Sequence, residues 1–148
     1  MTARELWPTY AYVPGKTPRH EDNAFDCVRE TANADLSPSE LADCTAFRLG
    51  LRYLEAGFYW EAHEVFEPVW MALPDPSEER RFVQGLIQIA NGFLKIRMGR
   101  PKAAARLVVI AQNLMPKAGQ GAVMGVDLCD TQHMIESLNA QCILHYNT

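Results

Sequence analysis

The chain has 148 residues, enough for one domain with a substantial core. Its apolar fraction of 48% and charged fraction of 22% are ordinary for a folded protein and exclude bulk disorder. A formal net charge of −4 argues against general affinity for nucleic acid or an anionic membrane, because both attractions need a basic surface.

No apolar run approaches the roughly 20 residues that span a bilayer, so no membrane partner is expected. The opening residues Met1 to Pro8 lack a basic stretch followed by an apolar core. They do not read as a signal peptide, and a cytoplasmic location is expected. Cysteines stand at 27, 44, 129 and 142, with no C-x-x-C pair. They are expected to be buried thiols acting as small hydrophobes.

Residues 1–36 read as an extended N-terminal arm with a short helix near Ala24–Thr31, and 37–148 as the helical domain. Pro8, Pro14, Gly15 and Pro18 interrupt regular structure in the arm. Tyr10, Tyr12 and Val13 are placed to anchor it along the surface. Its aromatic residues also leave self-association open, so a homo-oligomer stays among the expected partners.

The first clear helix begins at Ser37. Ser37-Pro38-Ser39-Glu40 is a capping box with proline at the first helical position. Leu41, Cys44, Phe47, Leu51 and Leu54 then recur at helical spacing, and Gly57 supplies a stop. The second helix covers about Phe58–Leu73, with Pro68 inside it and a kink expected there. The third is expected to be capped by Asp75, with Pro76 as its first residue, and to run to about Met98 before Gly99. A fourth covers about Pro101–Met115. Gly119, Gly121 and Gly125 mark a loop, and a last helix covers about Thr131–His145. Strand signals are nearly absent. The expected fold is all-α, a compact single-domain bundle of about five helices.

On a helical wheel for the second helix, Phe58, Ala62, Val65, Phe66, Val69 and Leu73 form the apolar arc. Glu61 and Glu64 point largely away from it. His63 and Glu67 share a face one turn apart, beside Tyr59, Trp60 and Trp70. Large aromatics prefer burial, so this is not an ordinary solvated face. On the third helix Arg81, Gln84, Gln88, Asn91 and Lys95 form a polar stripe in an otherwise apolar surface. Gly85 and Gly92 flank that stripe and predict a neighbouring helix or ligand pressed close to the backbone. If the stripe faces His63 and Glu67, glutamine amides would hydrogen-bond the imidazole and the carboxylate.

The run from Gly57 to Trp70, followed by Phe82 to Ala90, resembles the family called domain of unknown function 309. That family's pattern is G-x-(aromatic)-x-E-A-H-E-x-x-E-x-x-W, then Q-G-L-I-Q, then a helix with a small-residue pair. Ala103-Ala104-Ala105-Arg106-Leu107 stands at the last position here. The resemblance covers about Leu41–Leu114, and the arm segment Tyr12-Val13-Pro14-Gly15 looks like bacterial members. It implies a compact all-α fold, a bacterial or archaeal origin and no established activity. Its polar positions here are His63, Glu64, Glu67, Gln84 and Gln88, with Trp70 beside them.

Four readings of these residues stay open. The first is a satisfied internal polar network that fixes helix register. The second is a divalent metal held by His63 and Glu67, which H-E-x-x-E places one turn apart. The zincin pattern needs a second His where this chain has Glu67, and the ferritin-like pattern needs a Glu where it has Trp60. His20, His133 and His145 are the remaining imidazoles for a third ligand. The third is a small-molecule or hydrolytic site with Glu64 or Glu67 as general acid or base. The fourth is phosphate or RNA binding by Lys95, Arg97, Arg100, Lys102 and Arg106. The sequence ranks the structural network first and ligand binding second.

Overall fold

A computed structural model describes residues 6–117 and 121–146. Met1–Glu5 and the Gly119 part of the expected loop lie outside the described residues. The described elements are seven helices and one two-stranded antiparallel hairpin: α1 (Asp26–Arg29), α2 (Pro38–Asp43), α3 (Thr45–Ala56), α4 (Tyr59–Ala72), α5 (Glu78–Arg97), α6 (Pro101–Leu114), β1 (Ala122–Val123), β2 (Val126–Asp127) and α7 (Leu128–His145). Helical character is as expected. The helix count is higher than five and a small sheet is present.

The extra helix comes from a break at Cys44. Ser37 and Glu40 form the expected reciprocal capping box, but Cys44 is extended, with ψ at 155°, and separates α2 from α3. The new N-terminus is not capped from its own sequence neighbourhood. Thr31, in the loop after α1, accepts the Ala46 N–H at 2.9 Å. A helix end needs its orphan donors satisfied, and here the satisfier lies 15 residues away, beyond the reach of a local pattern.

The end of α3 follows its sequence signal. Gly57 adopts φ +89°, Phe58 N–H reaches the Tyr53 carbonyl, and Gly57 N–H reaches that of Leu54. This pair of bonds is the Schellman arrangement, and the left-handed residue in it favours glycine.

α5 starts two residues later than expected. Ser77, not Asp75, is the cap and accepts the Arg80 N–H. Its hydroxyl has the same three-residue reach as a capping aspartate, so two candidates two positions apart compete and position decides. α5 then lies at the centre of the bundle, packed by α4, α6 and α7. Its two glycines mark close approaches. A Cβ on Gly92 would sit 2.5 Å from a Leu138 methyl of α7, and one on Gly85 2.6 Å from the Met115 methyl. The close neighbours are therefore side chains of this fold, one on α7 and one just past the end of α6.

The short hairpin turns at Met124 and Gly125, both at positive φ, which is the geometry of a tight two-residue hairpin. It leads directly into α7, capped by Asp127 through the Cys129 N–H. The thiols divide: Cys44 and Cys142 are buried, while Cys27 and Cys129 are exposed, against the expectation of burial for all four. Burial pushes the Cys44 and Cys142 thiols up. At Cys129 the neighbouring Asp127 charge does so.

Candidate functional site

Helix α4 carries the chemistry, and it carries it on two sides. On the first, His63, Glu64 and Glu67 come together, although the helical wheel turns Glu64 away with Glu61. His63 Nε2 is 3.5 Å from Glu67 Oε2, and His63 Nδ1 is 3.8 Å from Glu64 Oε1. All three are half-buried. Their central partner is one that sequence reading missed, Arg29 at the end of α1. Its guanidinium lies 3.5 Å from both the Glu64 and the Glu67 carboxylates.

Arg29 also donates to the Glu64 backbone carbonyl. Pro68 sits inside α4 and lacks the N–H that would bond the carbonyl four residues earlier, which is that of Glu64. The arginine thus satisfies the acceptor that the proline leaves open. The sequence signal existed in two halves, a proline in a helix and a basic residue ending a short one, but nothing local joins them.

Gln84 and Gln88 are half-buried on α5. Among the described residues neither makes a hydrogen bond to His63 or Glu67, whose close polar partners are each other, Glu64 and Arg29. The polar and aromatic contacts that cross from α5 to α4 come from other residues. Arg80 stacks its guanidinium 4.4 Å over Trp70, and Phe93 stacks 4.9 Å from Tyr59. Arg97 covers Tyr59 at 4.5 Å and donates to the Gly57 carbonyl. Arg81, a stripe member, reaches instead to the Asn113 carbonyl at the end of α6.

The three aromatics expected beside His63 and Glu67 diverge: Tyr59 toward Phe93, Trp70 under Arg80, and Trp60 toward the N-terminal arm. Among the described residues, Trp70 Nε1 is buried without a hydrogen-bond partner.

The second side of α4 overturns an expectation. Glu61 does not point to solvent; it is 0% exposed. The arm seals it. Its Oε2 lies 2.6 Å from His20 Nε2 and accepts the Tyr12 backbone N–H at 2.8 Å. Among the described residues, Oε1 is buried with no hydrogen-bond partner. Around the imidazole stand Tyr10, stacked at 4.8 Å, and Phe25, Trp60 and Tyr12 at 5.4, 5.9 and 6.4 Å. The Tyr53 phenol is buried, donates to the Leu6 carbonyl, and is pushed well above the ordinary phenol range by burial and then by the Glu61 charge. The sequence offers His20 only as a spare imidazole. A period-3.6 pattern cannot place a residue 41 positions from its partner.

Among the described residues no group of three or more His, Cys, Asp or Glu side chains is arranged to hold a metal ion. At His63 and Glu67 the positive charge facing the carboxylates is a guanidinium. A cleft with a volume of about 760 Å³ lies elsewhere, between α3, α4, α5, the hairpin and α7. It is lined by apolar side chains including Leu54, Tyr59, Phe93 and Met134, and by Glu55, Asp127, Asp130 and His133. In the basic cluster, Arg97 is engaged by Tyr59 and Gly57, and Lys102 lies 5.8 Å from the Tyr146 ring. No helix among the described residues is long and apolar enough to cross a membrane.

Neither the curated proteins nor the solved structures provide a match to the chain. Residues 47–107, from within α3 to within α6 and including both sides of α4, match the family described as Domain of unknown function (DUF309).

Proposed function

We propose that the His63–Glu64–Glu67 cluster is a structural clamp that docks α1 and the chain before it onto α4. The observation that supports this is Arg29: one guanidinium meets both carboxylates and the carbonyl orphaned by Pro68. A polar group left unpaired in a semi-buried position costs about 1–3 kcal/mol, so a cation that satisfies three acceptors at once is a sufficient reason for this residue set. A double-mutant cycle tests the reading. Arg29→Ala and Glu64→Gln should each lower thermal stability and together lower it by less than their sum, because they remove one shared interaction. Strict additivity would mean that the cluster does not act as a unit.

A second reading, small-molecule binding, is favoured by the cleft rather than by the clamp. Its volume of about 760 Å³ falls in the range of ligand sites, roughly 300–1,000 Å³, and its lining is mainly apolar with a few polar groups. A bound small molecule would raise the melting temperature by mass action. Screening small molecules for a melting-temperature rise that Tyr59→Ala abolishes tests this reading. A rise that survives Tyr59→Ala would place the ligand elsewhere.

A further inference from the structure

The sealed side of α4 contains a group that the clamp does not use. Glu61 is a fully buried carboxylate on the DUF309 segment, yet both of its hydrogen-bond donors, Tyr12 and His20, lie outside that segment in a stretch with no helix or strand. Burying a carboxylate is costly unless donors meet it, so the matched segment alone leaves this side chain unsatisfied. Among the described residues, one oxygen, Oε1, stays buried without a hydrogen-bond partner even with the arm in place. The charge is also felt nearby, since it helps hold the Tyr53 phenol protonated.

The imidazole does not simply cap the carboxylate. Tyr10 of the arm stacks on it, Phe25 at the edge of α1 meets it edge-to-face, and Trp60 of α4 is tilted against it, so two of its ring neighbours belong to α4 or the edge of α1. An acid floor beneath aromatic walls recognises a flat N–H-bearing heterocycle: the carboxylate takes the N–H and the walls take the ring. A quaternary ammonium would satisfy the walls but offer the carboxylate no donor.

We propose that Glu61, with Trp60 and Phe25, forms a receptor site for an imidazole-type nitrogen heterocycle, and that the chain's own His20 is its tethered occupant. The arm is then a strap held by a ligand-like contact. Tethering gives His20 a high effective concentration at the site, so a free heterocycle competes poorly until the histidine is removed.

Chemical rescue tests this on the full chain, with imidazole as the probe. Lys16 and Arg19 are exposed in the arm and give trypsin two cleavage points there. His20→Ala should speed cleavage at these bonds about tenfold, corresponding to about 1.4 kcal/mol of lost docking when cleavage tracks the open population. Millimolar imidazole should then slow cleavage again, saturably, whereas sodium chloride at equal ionic strength should not. The rescue should vanish in His20→Ala/Glu61→Gln. An arm as protected in His20→Ala as in the parent, or one that imidazole fails to protect, overturns the proposal. If His20→Ala loses its helical circular dichroism, His20→Gln decides instead. It keeps an N–H donor but not the ring, so it should remain folded and its arm should regain protection on adding imidazole only if Glu61 is intact. No imidazole response in that variant overturns the proposal as well.

Discussion

Two carboxylate clusters flank the same helix within two turns, and they are built oppositely. His63, Glu64 and Glu67 stay half open to water, and an arginine bridges them. Glu61 is sealed from water and met by one imidazole and one backbone N–H. The open cluster trades hydration for a shared cation at little cost, as surface ion pairs do. The sealed one has no water to fall back on, so each missing partner exposes the full desolvation penalty of the charge. Distance along the helix does not separate them. What separates them is which distant piece of chain arrives: the end of α1 at one, the arm at the other.

That contrast sets an order of expected effects. Glu61→Ala should be the most damaging change, because it strands the His20 ring nitrogen and the Tyr12 N–H in the interior. Loss of one partner from a buried pair costs about 3–5 kcal/mol. For a domain of this size each 1 kcal/mol is worth roughly 2–4 °C, so calorimetry should show a fall of about 10 °C. A fall of only a degree or two would show that the site is as wet as the clamp.

Arg29→Ala should come next, at about 1–3 kcal/mol, chiefly because the Glu64 carbonyl that Pro68 orphans loses its donor. Restoring the lost N–H with Pro68→Ala should recover part of that loss, as measured by urea unfolding. No recovery would mean that the arginine acts through charge alone.

Glu67→Gln should cost less, on the order of 0.2–1 kcal/mol, as for other partly exposed pairs, and the loss should shrink further in high salt. A loss matching that of Glu61→Ala would erase the distinction between the two sides.

The smallest effect is a titration. Burial and the Glu61 charge hold the Tyr53 phenol protonated in the folded protein. Its contribution to stability is therefore complete below the ordinary phenol range and is lost as pH rises above it, where the unfolded chain ionises first. Absorbance at 295 nm, followed while the protein remains folded, should show one of the five tyrosines titrating late. Glu61→Gln should bring that step earlier without abolishing it, because burial is the larger cause.

Much of this was legible residue by residue. The Ser37 capping box, the Gly57 stop and the proline start of α6 stand where local patterns put them. His63 and Glu67 do meet on one face of α4, joined by Glu64, which the wheel turns away. The failures have a common form. Cys44 breaks a helix whose second half is capped by Thr31, the clamp needs Arg29, and Glu61 is buried by a segment that begins some fifty residues before it. The glycine pair on α5 reads as a close approach of a helix or a ligand, and its neighbours are the Met115 and Leu138 side chains.

By itself, then, the order of residues determined where helices run and which side chains share a stripe, since hydrophobic period and end-capping act over a few positions of backbone. Only the tertiary structure decided which stripe faces water, because burial and ion pairing depend on what packs against a helix. Here the deciding pieces are an arm and a short helix that share no periodicity with α4.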